Sequence, residues 1–141
     1  MISYGWVRLG PALLAAIPAF GCWAQNDLAT TGTSLVEAVV YTSLTPPNWD
    51  IYLFEEPGKA PRPITDHPAL DYNAVFSPDG RWVVFTSERA GSADLWALEL
   101  ERKGRPIRLT RHSAMDDAAS FSPDGKRLAF VSARDGNADI F

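Results

Sequence analysis

Between residues 71 and 115 the hydrophobic positions fall in short runs, and proline, glycine or charged residues separate one run from the next. This pattern is typical of closely spaced antiparallel strands rather than of helices. In the run from Trp82 to Ser87, apolar side chains alternate onto both faces, so we expect both faces to be covered by other parts of the molecule. The pattern predicts four consecutive strands: Ala74 to Phe76, Trp82 to Ser87, Asp94 to Leu100 and Ile107 to Thr110.

The same pattern recurs along the chain with a period of about 45 residues, which indicates a repeat architecture. Phe76 to Gly80, with the sequence Phe-Ser-Pro-Asp-Gly, returns as Phe121 to Gly125 at an offset of 45. Upstream, Val39 to Ser43 matches Val83 to Ser87 at an offset of 44. In each copy an aspartate, an aliphatic residue and an aromatic follow in the same register, as Asp50-Ile51-Tyr52, Asp94-Leu95-Trp96 and Asp139-Ile140-Phe141.

A sheet that is apolar on both faces cannot bury itself, so each unit must lie between like neighbours, as the blades of a β-propeller do. The Ser-Pro-Asp-Gly segment predicts a tight hairpin, because proline fixes φ in the turn and Gly80 can take φ > 0. Combined with the Asp-Ile-aromatic and Leu-Thr motifs, this repeat resembles that of TolB-type propellers. The resemblance implies an all-β fold, a β-propeller of four-stranded antiparallel blades, with repeats at about 35–70, 71–115 and 116–141.

The repeats amount to about two and a half blades, whereas closed propellers typically have 4 to 8. Thr33 to Val36 occupy the place where the first copy should show Ser-Pro-Asp-Gly, so the first blade is predicted to begin without a recognisable first strand. Phe141 falls inside the third strand of its blade. We therefore expect the sequence to be a fragment of a larger propeller.

The first 24 residues have a different character. Arg8 precedes an apolar stretch from Leu9 to Phe20, which is long enough for a signal peptide and too short to cross a bilayer. We predict a signal peptide at 1–24 with cleavage after Ala24, a linker at 25–34, propeller repeats at 35–141 and no membrane span after cleavage. Ala19 to Cys22 also resembles a bacterial lipobox, which would make Cys22 a lipidation site. Either interpretation predicts a periplasmic or secreted protein.

Charge and cysteine content exclude several classes of function. Without Arg8 the mature chain would have 12 basic and 17 acidic residues, a balance that does not favour nucleic acid. The single cysteine, Cys22, lies in the predicted signal, so neither disulfides nor thiolate chemistry is expected. Asp135, Asn137 and Asp139 have the spacing of calcium ligands, but the expected glycine is missing at Ile140. No metal or cofactor site is predicted.

Three residues are the predicted partner-binding positions. His67 and His112, the only histidines, lie 45 residues apart and so occupy one repeat position in the connection between blades. They have either a structural role in the loop or a place at the channel rim. Trp49 lies before Asp50, where neither other copy has an aromatic, and a loop aromatic is a common anchor for protein contacts.

No catalytic residue is predicted. Ser77 and Ser122 precede proline in the hairpin, and the Gly-x-Ser-x-Gly elbow of α/β-hydrolases is absent. The resemblance implies a non-enzymatic exported scaffold that binds a protein or a cell-envelope component, similar to TolB of the Tol-Pal system. A second interpretation stays open, because similar repeats also form the propeller that precedes the hydrolase domain of prolyl-oligopeptidase-like serine peptidases.

Overall fold

Eleven strands lie in the part of the chain that the computed structural model describes, which comprises residues 4–9, 36–45, 48–56, 58–102 and 104–141. They form three antiparallel meanders, which we call blade 1 (β1–β4), blade 2 (β5–β8) and blade 3 (β9–β11). This confirms the all-β, propeller-type prediction. The strands are β1 Tyr4–Leu9, β2 Val36–Thr45, β3 Asn48–Phe54, β4 Arg62–Pro63, β5 Asp71–Phe76, β6 Trp82–Ser87, β7 Asp94–Glu99, β8 Ile107–Arg108, β9 Asp116–Phe121, β10 Leu128–Ser132 and β11 Asp139–Ile140.

Blade 2 contains the four strands predicted for it, with small changes at their ends. β6 has the predicted bounds, β7 ends one residue early at Glu99, and β8 is shorter than predicted. β5 begins at Asp71, three residues before the predicted start, and its register with β6 shifts between Tyr72 and Val75. Asn73 lies within this irregularity and has a φ of 51°.

The core lies between the blades, as the two apolar faces of β6 predict. Val83 and Phe85 face blade 1, and Val84 on the opposite face of the same strand packs toward blade 3. The cluster between blades 1 and 2 contains Ala38, Val40, Ile51, Leu53, Ala74, Phe76, Val83, Phe85 and Leu98. The cluster between blades 2 and 3 contains Val84, Leu95, Ala97 and Ala119, with Trp82, Phe121 and Phe130 packed against it.

The Ser-Pro-Asp-Gly segment forms the predicted hairpin. Gly80 has a φ of 69°, and its N–H donates to the Ser77 carbonyl over 2.9 Å. The Ser77 hydroxyl donates to the Asp79 carboxylate over 2.6 Å, and this bond is the largest cause that holds the pKa of Asp79 below its ordinary value. Ser122 and Asp124 repeat the same bond, also over 2.6 Å. Both serine hydroxyls therefore serve the turn.

Blade 1 differs from the prediction that it begins without a recognisable first strand. β1 occupies that position and pairs with β2, from Tyr4 opposite Tyr41 to Leu9 opposite Val36. β1 lies outside the period of the repeat, so the pattern could not reveal it. The apolar stretch after Leu9, the cleavage site after Ala24, Cys22 and the linker at 25–34 lie outside the described residues, and the export signal stays a prediction. No helix in the described ranges is long and apolar enough to cross a bilayer.

Ala118 of β9 is the counterpart of Asn73 of β5, and a substitution there tests the positive φ that the two residues share. It is exposed and has a φ of 52°. The left-handed region costs a residue with a Cβ about 1–2 kcal/mol, which exceeds the roughly 0.5–1 kcal/mol that glycine loses through its greater freedom when unfolded. We expect Ala118→Gly to raise the free energy of unfolding in urea by about 0.5–1 kcal/mol. Ala129→Gly, at an exposed position of β10, should lower it, and an equal loss in both variants would contradict the assigned conformation.

Candidate functional site

One end of the blades carries all three residues predicted to bind a partner. In a meander the connections alternate between the two ends of the sheet, so the turns after β2, β6 and β10 share an end with the connections between blades. We call this end the rim; it comprises Leu44, Trp49 and Asp50 of the β2–β3 hairpin and residues 64–70, 88–93, 109–115 and 133–138. The two Ser-Pro-Asp-Gly hairpins lie at the opposite end.

The histidines hold equivalent places in the connections between blades. The Nδ1 atom of His67 accepts the N–H of Ala69 over 3.0 Å, and the His67 carbonyl accepts a bond from the Asn48 side chain. In the next connection the Nδ1 atom of His112 accepts a backbone N–H over 3.1 Å, and its carbonyl accepts the hydroxyl of Ser92 over 3.2 Å. The Nδ1 atom of each histidine therefore acts as an acceptor for the backbone of its own loop.

Trp49 lies beside the first of these connections. It is half-buried and meets the ring of Tyr72 edge-on, with 6.2 Å between the ring centroids. Leu44 pairs with Trp49 across the β2–β3 hairpin, and 67% of its surface is exposed. The structure therefore brings Trp49 and His67 together at the junction of blades 1 and 2, while His112 lies one blade further on. Whether these residues bind a partner stays a prediction.

The first strands of blades 2 and 3, β5 and β9, carry a second hydrogen-bond network at the rim. Burial, with the charges of Asp117 and Glu88, raises the pKa of Tyr72 to about 12. In blade 3 the equivalent residue is Asp117, whose Oδ1 accepts the Asn73 amide over 2.8 Å and the Thr86 hydroxyl over 2.7 Å. Both donors belong to blade 2, so this carboxylate joins the two blades.

At the junction of blades 2 and 3, two buried aspartates are matched by two arginines. Arg108 Nη2 lies 2.7 Å from Asp94 Oδ2, and Arg134 donates to both oxygens of Asp116 over 3.0 and 3.1 Å. Thr110 donates to Asp94 over 3.4 Å. Burial acts to raise the pKa of Asp116, but hydrogen bonds, including those from Arg134 and Thr110, outweigh it and hold that pKa below its ordinary value.

The equivalent junction of blades 1 and 2 has two aspartates and one arginine. Arg89 Nη2 lies 2.7 Å from Asp71 Oδ2, and the Thr65 hydroxyl donates to Asp50 Oδ1 over 3.2 Å. Pro63 occupies the position of the second arginine. Burial raises the pKa of Asp50 above its ordinary value, and the charge of Asp71 adds to the increase, while the bond from Thr65 opposes it.

Arg89 and Arg134, which pair with aspartates of β5 and β9, also stack on aromatic rings. The Arg89 guanidinium lies 5.4 Å from the ring centroid of Phe85 and 5.0 Å from that of Trp96. Arg134 lies 5.2 and 4.6 Å from two phenylalanine rings in the same way. Sequence reasoning missed these pairs, although the recurrence of Asp71 and Arg89 at an offset of 45, as Asp116 and Arg134, was a signal that could have revealed them.

A groove at the opposite end is the alternative location for a site. It has a volume of ≈ 420 Å³ and lies between the two Ser-Pro-Asp-Gly hairpins, with Trp82 and Phe121 in its lining. Its serines and aspartates bond to one another and hold the turns. The rim instead presents the exposed Leu44 beside the half-buried Trp49, and Asp50 without an arginine, so we take the rim as the candidate site.

Comparison with solved structures identifies the architecture. The structure of a TolB-type protein from Agrobacterium tumefaciens is similar with a TM-score of 0.64 and 25% identity, over 72% of this chain and 36% of that one. TolB from Acinetobacter baumannii gives a TM-score of 0.62 and 25% identity, over 73% of this chain and 26% of that one. The fold is that of a partial TolB-type β-propeller. The chain thus spans about a third or less of the length of these proteins, and no family model matches the sequence.

Removing Arg89 tests whether the buried ion pairs hold the blades together. The Asp71 side chain is fully buried and that of Arg89 is 11% exposed, so Arg89→Ala would leave a buried charge unpaired. We expect a loss of about 3–5 kcal/mol in the free energy of unfolding, measured with urea. The matched control is Arg62→Ala, which breaks an exposed pair with Glu55 and should cost about 0–1 kcal/mol. Equal losses in the two variants would contradict the role given to Arg89.

Proposed function

We propose that this chain belongs to an exported, non-enzymatic, TolB-like scaffold that binds a protein or a cell-envelope component through the rim around Trp49. The observation that carries the proposal is the pair formed by Leu44 and Trp49. A large exposed apolar side chain lies directly opposite a half-buried indole on a hairpin at the end of the blade. Tryptophan is among the residues enriched at the few positions that carry most of the binding energy of protein interfaces.

The surroundings of this pair support a binding role. Asn48, next to Trp49, ties the hairpin to the connection that holds His67, through bonds to the carbonyls of His67 and Ala69. These hydrogen bonds hold the hairpin in place, so Trp49 would lose little conformational freedom when a partner binds. Loops held by a rigid scaffold are the usual carriers of binding function, and the similarity to TolB favours this class of function over an enzyme.

Site-specific crosslinking tests the contact. A photoreactive phenylalanine in place of Leu44, in the chain expressed with its own first 24 residues, should yield a discrete adduct on irradiation of cells because that side chain faces the partner. The matched control replaces Ile107 of β8, which is 55% exposed and belongs to blade 2 rather than to the hairpin that carries Trp49. Trp49→Ala should remove the Leu44 adduct by removing the anchor. Identical adducts from both positions, or an adduct unaffected by Trp49→Ala, would count against the proposed surface.

A reporter fusion tests export. We expect residues 1–30 fused to alkaline phosphatase, an enzyme active only outside the cytoplasm, to give activity and a processed product that begins at Gln25. Leu14→Arg should abolish the activity because a charge interrupts the apolar stretch, whereas Leu14→Val should preserve it. A product that begins at Cys22 would assign the lipoprotein route instead. Activity that survives Leu14→Arg would argue against a signal peptide.

A further inference from the structure

We infer that the junction of blades 1 and 2 binds an arginine side chain of a protein partner, with its guanidinium on the carboxylate of Asp50. The inference rests on the proposed binding function and adds to it the chemistry of the partner. It follows from comparing two junctions that the repeat makes equivalent.

Around this pair of equivalent aspartates the two junctions have the same threonine donor, with one exception among the charged partners. Asp50 corresponds to Asp94, and in both copies a threonine hydroxyl one strand away donates to this aspartate, over 3.2 and 3.4 Å. The exception is the cation on this aspartate: blade 2 supplies Arg108, and blade 1 has Pro63 at that position. Asp94 is therefore paired with a cation of its own blade, and Asp50 is not.

Within the described residues, no lysine or arginine forms an ion pair with Asp50. Arg62 is adjacent to Pro63, but its guanidinium pairs with Glu55 over 3.0 Å. Residues 10–35 and 46–47 contain no lysine or arginine. Arg8 pairs in β1 with Glu37, six residues along β2 from the partner of Asp50, which is about 20 Å at the rise of a strand.

A second acceptor at this junction lacks a donor. Asp71 is fully buried, and within the described residues its Oδ1 has no hydrogen-bond partner, since Arg89 contacts Oδ2. In the equivalent Asp116 both oxygens are bonded to arginine. A buried acceptor without a donor is costly, so the junction of blades 1 and 2 is the less satisfied of the two.

The position of Asp50 makes the junction accessible and selects the ligand. Asp50 is half-buried, so a side chain can reach it from solvent, and Trp49 and Leu44 lie on the same hairpin. A guanidinium has five donors in a planar fork, an apolar stem and an affinity for aromatic faces. A calcium ion needs 6–8 oxygen ligands, more than two carboxylates provide. The combination fits an arginine flanked by an apolar residue.

The direct test titrates the chain with N-acetyl-arginine amide and follows the backbone amides by NMR. We expect shifts of Ile51 and Thr65, which frame Asp50, and about a tenfold weaker response to the uncharged isostere N-acetyl-citrulline amide, equivalent to about 1.4 kcal/mol. Asp50→Asn should abolish the response. An equal response to both probes, or one that persists in Asp50→Asn, would overturn the inference.

Pro63→Arg tests the same idea within the chain. This variant places an arginine where blade 2 has Arg108, so it should occupy Asp50, block the probe and remove the Leu44 adduct. Pro63→Gln is the matched control and should bind the probe as the wild type does. A Leu44 adduct that survives in Pro63→Arg would overturn the inference while the proposed function stands. Without any adduct in the wild type the proposed function fails, and the titration still decides the inference.

Discussion

Blade 2, the middle blade, depends on burial of both faces of its sheet. β6 shows the constraint most clearly, because Val83 and Phe85 belong to one core cluster and Val84 to the next. Full burial of each such side chain contributes about 1.5–3 kcal/mol, and neither face can be exposed without losing a whole cluster. Stacked blades are the arrangement that satisfies this, and the similarity to TolB structures follows from the same constraint.

Apolar burial alone does not fix the orientation of one blade relative to the next. The buried polar groups fix it. Asp71 and Asp116 are fully buried, so they must be bonded, and their arginines also cover aromatic rings of the same blade. Asp117 joins blade 3 to Asn73 and Thr86 of blade 2. Since an unmet buried charge costs several kcal/mol, these contacts disfavour shifted packings in a way that interchangeable apolar side chains cannot.

Much of blade 2 could be predicted from the sequence, because its strands have short apolar runs and its turn has a residue set with one favoured conformation. The left-handed backbone at Asn73 and Ala118 could not, since alanine carries no signal for φ > 0 and the irregularity arises from strand pairing. Trp49 and His67 were singled out as exceptions or repeats in the pattern, and the structure shows that they are neighbours. The roles of Asp50 and Pro63 could not be predicted from the sequence. The missing arginine at Asp50 is recognised only by comparison with the junction of blades 2 and 3, where Arg108 pairs with Asp94.

β1 is a strand of blade 1 and also lies within the predicted signal peptide. The same residues, Tyr4 to Leu9, pair with β2 here and would be removed in a chain cleaved after Ala24. Cleavage would leave β2 without its β1 partner from Val36 to Tyr41, beside the buried side chains of Ala38 and Val40. An unpaired strand edge next to a core recruits another strand, through the same backbone hydrogen bonds that β1 now makes. In such a cleaved chain, blade 1 would be completed by a strand from another segment or from another molecule.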